Sequence, residues 1–257
     1  MPPSSENKRT HWQAESLRLT VFLAPNVLPT SEGWWTKLSG TDPESRNAKP
    51  ARGEFVEAGP FQGNTLTLSV QPGRVDWFLS PTLTLGEEIV QVKSIGTLEG
   101  GVNTFSTVML KWLGECPPAI RLAYGAILLQ PVDNRETGYL RLGELASAVK
   151  IDPKSEDFFY QINRPRESTT LKNMRLNRLS KWSVALFQPM RFAFGFPQNQ
   201  PAQPMVYSHG GTPAMACRVE LDLSTATPVE LPHDMLAPVF KELVDLGSEI
   251  AQRGDVP

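Results

Sequence analysis

The residues best suited to binding chemistry form one basic run between Gln161 and Phe192. A single acid, Glu167, lies within it, and aromatic residues such as Tyr160 and Trp182 flank or interrupt it. Its basic residues are Arg164, Arg166, Lys172, Arg175, Arg178, Lys181 and Arg191. Because the whole chain has a formal net charge of -2, this local positive field indicates a binding surface. Arginines of this kind grip phosphates, and aromatic rings stack on bases.

Strand alternation divides these arginines between two faces. In a regular strand over 171–187, Arg175 lies on one face and Arg178 on the other. The charges also lie near one end of a hairpin, because one strand ends close to Arg164 and Arg166 and the next begins close to Lys172. Acids of the last helix are potential partners within the molecule: Glu230, Asp234, Glu242, Asp245 and Glu249. Three interpretations therefore stay open, namely internal pairing, an acidic protein partner and nucleic acid. The candidate interaction surface consists of Arg164, Arg166, Lys172, Arg175, Arg178, Lys181 and Trp182.

Catalytic chemistry has little support in this sequence. The three histidines, His11, His209 and His233, belong to no metal-binding motif, and no phosphate-binding loop or nucleophile elbow is present. Cys116 and Cys217 are isolated from each other and from any C-x-x-C pair. We therefore expect a non-enzymatic protein with no catalytic residue, no metal and no cofactor.

Composition indicates an ordinary folded protein of the bacterial cytoplasm. The 257 residues are 40% hydrophobic and 20% charged, and 23 prolines favour turns and strand edges over a helical bundle. Neither an apolar signal segment at the start nor an apolar run of membrane-spanning length is present. We expect a cytoplasmic protein without a membrane partner.

The chain that positions the basic run is predicted to be α+β, mainly an antiparallel sheet with helices on one face. Residues 1–16 are predicted to be a disordered lead, followed by one sheet-plus-helix unit over 17–117 and another over 118–257. The two units can form one continuous domain by joining edge to edge. Strands are expected at 17–25, 54–58, 65–70, 74–79, 89–92, 119–130, 158–163, 171–187 and 215–223. Helices are expected at 31–38, 102–113, 138–149 and 232–253, with loops at 40–53 and 197–213.

Both units follow the order β-α-β-β-β-α, which suggests a pseudo-duplication. Similar letters also precede each closing helix, with V-D-W-F-L-S at 75–80 and V-E-L-D-L-S at 219–224. Each unit would cover one face of its sheet with its own helix. By topology this order resembles saddle-shaped duplicated folds such as the TATA-binding protein, a likeness of fold that carries little functional weight.

The second half resembles an uncharacterised, sporadically distributed bacterial protein family. The resemblance lies in the strand at 121–128, the Leu221-Asp222-Leu223 strand and the helix at 236–250. The family's arginine- and asparagine-bearing strand is not clear at 121–130, although Ile162-Asn163-Arg164 is a related element. No activity is established for that family, so the resemblance implies no catalytic residues.

The sequence therefore predicts a recognition or assembly protein that binds another protein or itself, as a subunit of a complex. The first alternative is a nucleic-acid-binding protein that uses the basic hairpin at 161–191. The second is a small-ligand sensor with its pocket between helix and sheet.

Overall fold

The computed structural model describes most of the chain. It describes residues 11–27, 33–82, 93–187, 190–195, 203–208, 213–226 and 228–256, with the backbone alone for 190–195 and 203–208. The expected strand at 89–92, the helix start at Ser31 and the His209 turn lie outside the described residues.

The described residues of the first half form five strands and two helices. The strands are β1 (Gln13–Leu23), β2 (Ser45–Lys49), β3 (Glu54–Phe61), β4 (Asn64–Gln71) and β5 (Arg74–Pro81). The helices are α1 (Trp34–Ser39) and α2 (Leu98–Leu113). Thr97 begins α2 as a helix cap, because its side chain accepts a hydrogen bond from the Gly100 N–H.

The second half contains the remaining described elements. Its strands are β6 (Ala119–Val132), β7 (Phe159–Asn163), β8 (Arg166–Glu167), β9 (Arg175–Phe187), β10 (Met190–Gly195), β11 (Gln203–Ser208) and β12 (Ala214–Thr225). Its helices are α3 (Arg135–Leu145) and α4 (Leu236–Arg253). A single 3-10 turn, His233–Met235, leads into α4.

One large antiparallel sheet joins the two halves. Its strand order is β2-β3-β4-β5-β1-β6-β12-β9-β7, with β8 also paired to β9. The halves meet where β1 pairs with β6, for example through Leu19 and Tyr124. Strands β10 and β11 form a separate two-stranded sheet. The predicted α+β class with a mainly antiparallel sheet is confirmed.

All four described helices pack against the same face of the large sheet. The rings of Phe105 on α2 and Tyr124 on β6 both contact Phe240 on α4, with centroids 6.5 and 6.1 Å apart. In the first half, the ring of Trp77 on β5 packs edge-on against that of Trp112 on α2, with centroids 5.8 Å apart. This face therefore forms the hydrophobic core, and the opposite face carries no helix in the described part of the chain.

Three local expectations need correction. Strand β1 begins at Gln13 rather than at Leu17, because the backbone of Ala14 bonds to Ile95 and Gly96 and the buried indole of Trp12 donates to Ala251 O at 2.7 Å. The polar loop expected at 40–53 contains β2, a fully exposed edge strand held by backbone pairing to β3. The loop expected at 197–213 likewise contains β11.

None of the helices in the described ranges is long and apolar enough to cross a lipid bilayer.

Candidate interaction surface

The structure separates the predicted basic surface into paired, buried and exposed residues. Arg164, Arg166 and Lys181 form ion pairs with carboxylates, and Trp182 is fully buried with its indole N–H donating to Ser180 Oγ at 2.9 Å. Arg178 is also buried. Lys172 and Arg175 are exposed. Trp182 and Arg178 therefore have no surface to offer a partner, which corrects their place in the predicted surface.

Asp255 clamps the chain after α4 to the β7 end of the sheet. Arg164 Nε lies 2.5 Å from Oδ1 and Arg164 Nη2 donates to Oδ2 at 3.0 Å, while the Tyr160 hydroxyl donates to Oδ2 at 2.7 Å. Burial pushes the pKa of Asp255 up, but the hydrogen bonds from Arg164 and Tyr160 outweigh it and leave the pKa lowered. The same burial and the bond to Asp255 raise the pKa of Tyr160.

Glu249 on α4 is shared by three arginines. Arg166 Nη1 donates to Oε2 at 2.9 Å, Arg253 Nη1 donates to Oε1 at 3.1 Å, and Arg178 Nη2 lies 3.7 Å from Oε2. The Arg178 side chain is 1% exposed, and its Nε and Nη2 have no hydrogen-bond partner. Burial, followed by the charge of Arg166, lowers the pKa of Arg178. Much of the predicted basic run therefore anchors α4 to the sheet.

Glu242, about two turns earlier on α4, holds the loop between β8 and β9. Its carboxylate accepts hydrogen bonds from Ser168 Oγ at 2.6 Å and from the Thr169 N–H at 2.6 Å. Burial raises the pKa of Glu242, but these hydrogen bonds outweigh it and leave the pKa lowered. Of the α4 acids, Glu249 thus provides the internal pairing that the sequence left open, whereas Glu242 bonds hydroxyl and backbone groups.

The helix-free face of the sheet, here called the open face, carries many partly exposed side chains. Strand alternation places on it one residue in two from each strand, including Thr67, Phe78, Arg18, Asp222 and Leu179. Arg18 is 31% exposed and Asp222 49% exposed, as measured on their side chains. A polar sheet face of this kind is accessible to a partner.

Most charges on the open face are balanced by a neighbour. Arg18 Nη2 lies 3.7 Å from Asp222 Oδ2, and Lys181 Nζ lies 3.5 Å from Glu220 Oε2. Arg218 also pairs with Glu220. Because acids and bases alternate across the strands, the face lacks the continuous positive field that a nucleic-acid backbone requires.

One row of the open face departs from this balance. Phe22 on β1 lies opposite Arg74 on β5 and Arg121 on β6, and the two guanidinium carbons are 5.6 and 5.2 Å from its ring centroid. Arg74 is paired with Asp76, whose Oδ2 is 2.6 Å from Nε. Arg121 donates to Ser224 Oγ at 2.9 Å and forms no ion pair with a described residue. The sequence analysis missed Arg121, although its outward position follows from the alternation along β6.

Within the described ranges, the potential nucleophiles and metal ligands lie apart from one another. Burial raises the pKa of both Cys116 and Cys217 to about 12, so each remains a thiol at neutral pH. His233 Nε2 lies 3.1 Å from Cys116 O, beside an open depression of about 360 Å³ lined by Pro118 and Leu236. No group of three or more potential metal-binding side chains occurs within the ranges that the structure describes.

Comparisons of this chain with protein-family models, with curated proteins and with solved structures found no match.

Proposed function

We propose that this protein is a recognition module that binds another protein through the open face of its sheet. The observation that carries the proposal is the asymmetry of the sheet, whose helices all cover one face. Nine strands in sequence, about 4.8 Å apart, make a surface about 38 Å wide. With strands of about eight residues, the face offers about 1,000 Å², which is the area that one partner contributes to a standard interface.

The charge pattern supports a protein partner over nucleic acid. Paired acids and bases such as Arg18–Asp222 and Lys181–Glu220 suit a protein surface of mixed charge. A polyphosphate chain would meet carboxylates on every path across this face. The basic run that favoured nucleic acid in the sequence is largely neutralised by Glu249, Asp255 and Glu220.

The strand order also supports a pseudo-duplication, which we propose as the origin of this wide face. On one side of the β1–β6 junction the strands follow as β1-β5-β4-β3, and on the other as β6-β12-β9-β7. Each half contributes a helix to the shared core, α2 in the first and α4 in the second. Two small sheets joined at this junction provide a surface that neither has alone.

Matched pairs of substitutions on the two sides of the sheet test the proposed function. Thr67→Arg/Leu179→Arg places two large cations on the open face, one in each half. Thr107→Arg/Leu110→Arg makes the same chemical changes on the exposed side of α2. We expect a partner that co-purifies with the wild-type protein from its native cells to bind the α2 variant and not the open-face variant.

The measurement is size-exclusion chromatography with light scattering on the isolated proteins and the reconstituted complex. Equal binding by both variants would overturn the open face as the docking surface. If the wild-type protein purifies from its native cells as a monomer without any partner, the proposal that it is a recognition module is wrong.

A further inference from the structure

Arg121 and Arg175 stand at the same end of the open face, on either side of the end of β12. Ser224 on β12 lies opposite Ala123, two residues past Arg121, and Ala226 donates its N–H to Arg175 O at 2.8 Å. Two strand spacings separate the rows of β6 and β9, which is about 10 Å. A short peptide segment can therefore reach both arginines at once.

The orientation of the Arg121 guanidinium is fixed by neighbouring side chains. Its guanidinium lies over Phe22, and Nη2 donates to Ser224 Oγ at 2.9 Å, so the group is oriented by two neighbours. Its Nε is buried and has no hydrogen-bond partner. Because this Nε is enclosed, a carboxylate from outside reaches only the terminal amino groups of the guanidinium, which carry four of its five N–H donors.

Polar groups connect Arg121 with the strand that carries Arg175. Asn177 Nδ2 lies 3.5 Å from Ser224 Oγ, and Asn163 Nδ2 donates to Asn177 Oδ1 at 3.1 Å. Arg175 is exposed at the end of this network and forms no ion pair with a described residue. Glu167 on β8 lies opposite Arg175, so the two arginines and this one acid leave the row with a net positive charge.

We infer that Arg121 and Arg175 form a two-point carboxylate site that recognises an acidic segment of the partner protein. The inference rests on the proposed function and names the chemistry of the partner. Asp or Glu side chains two residues apart on an extended strand lie on the same side, about 7 Å apart, which two long arginine side chains on strands about 10 Å apart can reach. Arg74 takes no part, because Asp76 already neutralises it.

A carboxylate suits this row better than a phosphate chain because the surrounding face is acidic in places. Asp76 is buried two residues along β5 from Arg74, and Asp222 and Glu220 continue the acidic positions along β12. An isolated carboxylate avoids these groups, whereas successive phosphates would approach them. Charge complementarity therefore selects a peptide with spaced acids.

The test uses a fluorescein-labelled peptide of Glu residues spaced by Ser and the full-length protein. Fluorescence anisotropy at low ionic strength should detect binding by the wild-type protein. Arg121→Met keeps the aliphatic stem over Phe22 and removes the charge, and Arg175→Gln removes the exposed charge. We expect each change to weaken binding by about tenfold, the loss of one charge-assisted hydrogen-bonding group.

Lys49→Ala/Arg52→Ala is the matched control, since it removes two exposed positive charges at the opposite edge of the sheet. We expect this variant to bind the peptide like the wild type. Equal losses in the control and in Arg121→Met/Arg175→Gln, or tighter binding of a thymidine oligonucleotide through the same arginines, would overturn the inference. Thermal unfolding of each variant separates lost binding from a lost fold.

Failure of this site is distinguishable from failure of the proposed function. If Thr67→Arg/Leu179→Arg abolishes binding of the natural partner and Arg121→Met/Arg175→Gln does not, the open face stands and the carboxylate site falls.

Discussion

At the scale of single residues, the buried Arg178 and its ion pair with Glu249 are the charges on which stability depends most. The Arg178 side chain is almost completely enclosed, and its nearest carboxylate oxygen belongs to Glu249 at 3.7 Å. Such a pair adds little net stability, because burial of both ions costs about as much as their attraction returns. Removal of one partner is a different matter, since it leaves the other charge buried alone.

Glu249→Gln should lower the free energy of unfolding by about 3 kcal/mol, because the buried Arg178 on β9 then loses the carboxylate with which it forms an ion pair. Urea unfolding followed by far-UV circular dichroism measures the change. The matched control is Asp245→Asn on the same helix, which breaks only the exposed pair with Lys241 and should cost less than about 1 kcal/mol. If Arg178→Met in the Glu249→Gln background recovers no stability, the buried arginine is not the cause.

The Asp255 clamp should make stability depend on acid pH. The pKa of Asp255 is lowered from its ordinary value of 3.8 in the folded protein. The deprotonated carboxylate therefore stabilises the fold fully above about pH 4, and this contribution is lost as the pH falls through the lowered folded value.

Asp255→Asn should reduce stability at neutral pH and flatten its decline below about pH 4, because Asn cannot form the charged pair with Arg164. Urea midpoints measured between neutral and acid pH check the slope. Tyr160→Phe removes one hydrogen bond to Asp255 and should produce a smaller change in the same direction. An unchanged acid slope in Asp255→Asn would show that other carboxylates govern acid unfolding.

At the scale of secondary-structure elements, helix α3 packs unusually close to the sheet. Helix α3 packs on β9 and β12 through Gly138, where a Cβ atom would lie 2.6 Å from Val184 Cγ2. The Gly138 carbonyl also accepts a hydrogen bond from the Cys217 thiol at 3.4 Å. Only a residue without a side chain lets the helix lie this close to the sheet.

Gly138→Ala should destabilise the protein by about 1–3 kcal/mol, because the added methyl group forces α3 away from the sheet. Gly143→Ala on the same helix meets no atom within 4 Å and should instead stabilise it by about 0.5–1 kcal/mol through helix propensity. Thermal unfolding of both variants gives the comparison. Equal effects of the two substitutions would mean that helix propensity, and not packing, decides the outcome.

At the scale of the whole molecule, one continuous sheet decides which surface is available. The β1–β6 junction and the contact between α2 and α4 join the two halves, so the described helices cover one face of a shared sheet and leave the other face without a helix. The proposed recognition function belongs to this scale, because no one half presents an area large enough for a standard interface.

Local patterns identified most elements of this scaffold. The alternation of apolar residues predicted β3 to β6, and the three- and four-residue spacing predicted α2 and α4. The exposed strand β2 escaped prediction because its stability comes from backbone pairing to β3 rather than from an apolar face. The division of the basic run between two faces of β9 was also predicted, since Arg175 is exposed and Arg178 is buried.

The sequence by itself determined the α+β class, the strand faces and the absence of a recognisable catalytic motif, because each depends on residues close together along the chain. The tertiary structure decided which arginines form ion pairs within the molecule. Arg164 meets Asp255 and Arg178 meets Glu249 across distant parts of the chain, while Arg121 meets no carboxylate in the described residues. Coulomb attraction acts between neighbours in space, so only the folded sheet distinguishes an anchored arginine from one left to bind a partner.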